Sequence, residues 1–130
     1  IILVLNSITI NAPKITSCIR LYKTVNSTEE SFIVGKEIKQ KVINSFTCSR
    51  QTNIGMFITP KRQCCLLEVI CNVGVPVLFL DYTKTAYGSQ MYEIILPIGI
   101  TFKPISKEEK QILNKSGFIK CVNLFRVTAS

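Results

Sequence analysis

The chain has 130 residues, 47% of them apolar, and carries sixteen lysines and arginines against eight acids, with no histidine and a net charge of +8. That content suits one folded domain rather than a disordered tail, and no apolar run approaches the roughly eighteen residues of a spanning helix. Lacking histidine, the chain cannot use a His-based acid–base pair, a Ser-His-Asp triad or a His-containing zinc site.

The positive charge favours anionic partners: nucleotides, nucleic acid, anionic membranes or acidic proteins. Most of it comes from lysines scattered singly, without the Arg and aromatic spacing of a nucleic-acid platform, which also fits a solvated basic surface. Cysteines stand at 18, 48, 64, 65, 71 and 121 with no regular Cys-x-x-Cys pair, so a zinc ribbon is not expected and most are read as reduced and buried. The first residues, Ile1-Ile2, without Met, are read as the start of a processed or excised single domain spanning 1–130.

In chain order, residues 1–12 place apolar groups at 1, 2, 5, 8 and 12, the spacing of a short helix, ended by Asn11-Ala12-Pro13. Residues 18–25 alternate as a strand, with Arg20 and Tyr22 on one face and Ile19 and Leu21 on the other. Ser27 or Thr28 is placed to cap a turn that begins with Glu29 and Glu30. Residues 35–42 read as a charged connector or exposed strand, 43–50 as a cluster of small hydroxyl and thiol groups around Phe46, and 51–56 as a helical turn.

Residues 65–70 form a strand with Glu68 among apolar neighbours, followed by a turn at 72–76 and a strand at 77–80. The stretch 87–103 then runs from a polar loop into Glu93, an apolar strand, a Pro97–Gly99 turn and a second strand. Residues 105–114 read as a lysine-rich turn capped by Ser106 and closed by Glu109, and 118–127 as a last strand. Six short extended segments and few helices predict a mostly antiparallel or mixed β-rich α+β domain and argue against a doubly wound sheet.

Three polar features stand out: Arg20 on an early strand, the Phe46-Thr47-Cys48-Ser49 cluster, and Glu93 where a late strand begins. Arginine suits bidentate contacts with phosphate, and a carboxylate on a rigid element can stabilise a developing cation such as an oxocarbenium-like ribose.

In order and spacing the three resemble the arginine–serine–glutamate branch of the ADP-ribosyltransferase family, which includes toxins, viral enzymes and ecto-enzymes. Asn11-Ala12-Pro13 precedes Cys18-Ile19-Arg20-Leu21-Tyr22; Phe46-Thr47-Cys48-Ser49-Arg50 is similar to the family's Phe-x-Ser-Thr-Ser motif; and Met91-Tyr92-Glu93 followed by Pro97, Gly99 and Phe102 is similar to its Glu-x-Glu, strand, Pro/Gly and Phe-strand segment. The resemblance covers nearly the whole chain and implies a compact core of two small packed sheets with short peripheral helices.

It further implies an NAD-dependent mono-ADP-ribosyltransferase or NAD glycohydrolase, with NAD as substrate and no metal, acting as a monomer on a protein or nucleic-acid acceptor after secretion or delivery into a host cell, or in the cytoplasm. Glu93 would be the catalytic carboxylate, supported by Cys48 and Ser49. Arg20, Phe46, Cys48 and Phe57 would bind NAD, with Phe79 a further aromatic candidate. Met91 and Tyr87 would lie on the acceptor side. Met91 replaces the first acidic residue of the pair, and a thioether cannot take a proton or bind a guanidinium strongly, so arginine is disfavoured as acceptor. The competing readings are a catalytically inactive basic module on the same scaffold, binding nucleic acid or an acidic protein, and a small secreted disulfide protein. Asn26-Ser27-Thr28 and Asn114-Lys115-Ser116 are formal glycosylation sequons.

Overall fold

A computed structural model describes residues 2–26, 33–47, 64–81, 92–113, 117 and 119–130. Among them are one helix, α1 (Ile2–Ile10), and eight strands: β1 (Ile19–Asn26), β2 (Ile38–Lys39), β3 (Asn44–Phe46), β4 (Cys64–Cys71), β5 (Leu78–Asp81), β6 (Tyr92–Leu96), β7 (Thr101–Leu113) and β8 (Ile119–Ala129). A five-stranded sheet runs β1-β4-β8-β7-β2 and a three-stranded sheet runs β3-β6-β5. β4 and β8 are parallel, and every other pairing is antiparallel. This is the expected mixed, β-rich α+β architecture.

The core lies between the two sheets. Leu21 on β1, Leu67 and Val69 on β4, Phe125 and Val127 on β8 and Phe102 on β7 form one wall; Phe46, Ile94 and Leu96 form the other. Phe46 meets Phe102 edge-on with ring centroids 6.1 Å apart. The quadrupoles of the two rings favour that arrangement over face-to-face stacking.

The helix ends where the sequence places its stop. Thr9 Oγ1 donates back to Leu5 O at 2.8 Å, and Asn11 N and Nδ2 both donate to Ser7 O, just before Pro13. Asn6 docks α1 by accepting from Ile98 N at 2.8 Å, in the turn after β6. That turn needs Gly99, whose φ of 96° is costly for a residue with a Cβ. Gly99 N donates to Gln40 O at 2.8 Å, fastening the approach to β3.

Two expectations change. Where a turn was expected at 105–114, residues 105–113 are instead the second half of β7, which pairs with β8 from Phe102↔Ala129 to Leu113↔Ile119 with one irregularity between Pro104 and Ser106. Long-range ladder bonds override the local Ser106/Glu109 capping signal, which needs a helical first turn to form. The extended segments are also neither six nor all short, since β7 alone has thirteen residues. The turns expected around Ser27, Thr28, Glu29 and Glu30 and at 51–56 lie outside the described residues, as does the Asn114 sequon.

Candidate functional site

The site surface begins with a junction between the sheets. Tyr22 N donates to Thr47 O at 2.7 Å and Thr47 N returns a bond to Tyr22 O at 2.9 Å, so β1 is joined to the residue that follows β3. Opposed residues of an antiparallel pair project to the same side. Arg20 and Tyr22, two apart on β1, and Ser45 and Thr47, two apart along β3, therefore share one face.

β6 adds the acid. Its register with β3 pairs Ser45 with Ile95 and Phe46 with Ile94, and with β5 pairs Glu93 with Leu80. Glu93 is two residues from Ile95, so it projects to the side of Ser45, and one further register step brings it beside Thr47. The Ser45 hydroxyl donates a hydrogen bond to Glu93 Oε1. Among the described residues Oε2 has no partner. A half-buried carboxylate is thus oriented by a neighbouring hydroxyl, with its second oxygen unpaired among the described residues.

Arg20 supplies the cation on this face. Its side chain is 68% exposed, and Nη1 lies 3.4 Å from Glu68 Oε1 on β4. Arg126 on β8 approaches the other oxygen of the same carboxylate, with Nε 3.6 Å from Oε2, and its Nη2 lies 3.1 Å from Glu108 Oε1. No group of histidine, cysteine, aspartate or glutamate side chains able to hold a metal occurs among the described residues.

The residues expected from sequence fall into four groups. Arg20 and Glu93 stand on the same face. Phe46 lies on the opposite, core-facing side of β3 at 2% exposure, with the Lys23 ammonium 5.6 Å from its ring centroid; it supports the strand from behind and has no surface to offer a ligand. Burial also lowers the Lys23 pKa. Cys48, Ser49, Phe57, Tyr87 and Met91 lie outside the described residues. Phe79 is exposed and, with Ile15, Ile19 and Val77, lines an open depression of about 510 Å³. Its register partner is Ile94, which puts Phe79 on the side of β5 away from Glu93.

The sequence reading missed Ser45 and Glu68. Ser45 lies one residue before the aromatic of the cluster, and only the β3–β6 register shows that it meets Glu93. Glu68 carried a local signal, a carboxylate inside an apolar strand, which requires compensating charge when buried.

No protein-family model matches the chain. No curated protein matches it either. Solved structures do share its fold. C3larvin, an ADP-ribosyltransferase toxin from Paenibacillus larvae, is 15% identical with a TM-score of 0.66, over 99% of this chain and 69% of that one. BECa, an ADP-ribosylating toxin of a binary enterotoxin of C. perfringens, solved with NADH, is 17% identical with a TM-score of 0.69, over 99% of this chain and 34% of that one. The catalytic domain of VahC from Aeromonas hydrophila is 10% identical with a TM-score of 0.63, over 99% of this chain and 68% of that one. At these identities the likeness shows a common fold, two packed sheets with a peripheral helix.

Proposed function

We propose that this chain cleaves NAD at the nicotinamide–ribose bond and transfers ADP-ribose to an acceptor, or to water. The observation that carries the reading is the Ser45–Glu93 hydrogen bond on the face that also bears Arg20. A fold shared with ADP-ribosyltransferase toxins supports it and makes a secreted effector the natural setting.

Each residue does what its chemistry allows. Arg20 offers an exposed, permanently charged guanidinium to the phosphates. Glu93, held by Ser45, takes a hydroxyl of the nicotinamide ribose and places negative charge beside the carbon that becomes cationic. The C–N bond breaks with its electron pair leaving on nicotinamide, and the oxocarbenium forms opposite Glu93. The acceptor then adds a lone pair to that carbon and loses a proton to solvent. Stabilisation of charge that develops only in the transition state accelerates the step without tightening the ground state. Thr47, held by its backbone to Tyr22, sets the spacing between the two ends of the site.

Nicotinamide release from NAD, measured with water as acceptor and then with candidate proteins and oligonucleotides, tests the proposal. Release by the wild-type chain supports it. Absence of both release and NAD binding refutes it, and a steeply salt-dependent oligonucleotide affinity in that case identifies a binding module on the same scaffold.

A further inference from the structure

Glu68 has no part in the reaction as described, yet it is a carboxylate only 6% exposed on the sheet that carries Arg20. β1 and β4 pair Tyr22 with Glu68 and Arg20 with Ile70, so Arg20 sits diagonally across from Glu68 on one face. Each oxygen of Glu68 has its own guanidinium, Arg20 Nη1 on Oε1 and Arg126 Nε on Oε2. Burying a carboxylate is costly unless it is compensated, and this one is compensated from both sides.

The two arginines differ in what they have left. Arg126 is held between Glu68 and Glu108 and is 37% exposed. Arg20 is 68% exposed and touches Glu68 through one nitrogen. A guanidinium carries five N–H donors in a rigid fork, so a contact through one nitrogen leaves the remaining donors for another anion.

We infer that Glu68 is a positioning residue for Arg20, holding its guanidinium on the site face so that its free donors meet the diphosphate of NAD. The inference rests on the NAD reading given above. Arg126 serves as the second counter-charge, so that Glu68 anchors Arg20 without neutralising the whole site. An arginine whose position is already biased by a carboxylate gives up less rotamer freedom when the ligand arrives, and the gain appears in binding rather than in bond cleavage.

A double-mutant cycle on the full chain tests this, with the NAD dissociation constant read by calorimetry and nicotinamide release read in parallel. Glu68→Gln is expected to raise the dissociation constant about three- to tenfold and to leave the maximal release rate within about twofold. In an Arg20→Ala background the same substitution is expected to change neither. An unchanged dissociation constant in Glu68→Gln, or an equal rise with and without Arg20, overturns the inference, the latter because Glu68 would then act through the fold. Should Glu68→Gln not fold, Glu68→Asp, which keeps the buried charge and shortens its reach, carries the same cycle with the same outcomes. Failure of the wild-type chain to bind NAD overturns the NAD reading and this inference together; wild-type NAD binding with no coupling between Arg20 and Glu68 overturns this inference alone.

Discussion

Ser45 and Glu93 are 48 residues apart in the chain and meet only because β3 and β6 pair in one register. A shift of one residue would turn Ser45 to the core and Phe46 to the surface, so the apolar packing of Phe46 is also what aims the hydroxyl. Ser45→Ala removes a charge-assisted donor but leaves the carboxylate in place. We expect nicotinamide release to fall about tenfold with NAD affinity unchanged, as steady-state kinetics and calorimetry would show. Glu93 is singled out in the sequence by its order and spacing relative to Arg20 and the Phe46–Ser49 segment, because a carboxylate at the start of a strand is by itself a common surface feature. Ser45 is not, since no local pattern marks which of several nearby hydroxyls a distant strand will select.

At the scale of elements, β3 is three residues long and carries Ser45 on the smaller sheet. It is held by β6 on one side, by the Tyr22–Thr47 junction on the other, and by Phe46 packed on Phe102 from behind. Phe46→Ala is expected to destabilise the fold by about 3–5 kcal/mol in urea unfolding, with loss of activity following loss of structure. The helix, β1 and β4 were all legible, the helix from its Asn11-Ala12-Pro13 stop, β1 from its alternation and β4 from its continuous apolar run. The far half of β7 was not. Residues 105–113 are rich in lysine and glutamate, and their extended state comes from β8, a partner that local propensity cannot see.

For the whole molecule, pH dependence follows from the buried thiol at the end of β4. Burial, with the charge of Cys18 adding to it, pushes Cys71 from 9.0 up to about 11. The native state keeps this proton where the unfolded chain releases it. The contribution to stability is therefore complete below pH about 9 and is lost as pH rises through about 11. Urea midpoints across that range are expected to fall more steeply for wild type than for Cys71→Ala. A net charge of +8 acts at the same scale, drawing anions in by long-range attraction that salt weakens.

The central claim is that Arg20 and Glu93 act on two ends of one NAD molecule, the first by binding and the second by bond cleavage. It is tested most directly by measuring NAD affinity and nicotinamide release side by side for wild type, Arg20→Ala and Glu93→Gln. The expected pattern is a rise in dissociation constant of about tenfold or more for Arg20→Ala, and a loss of release of about a hundredfold or more for Glu93→Gln with affinity retained. Release that survives in Glu93→Gln, or affinity that does not depend on Arg20, would contradict the account.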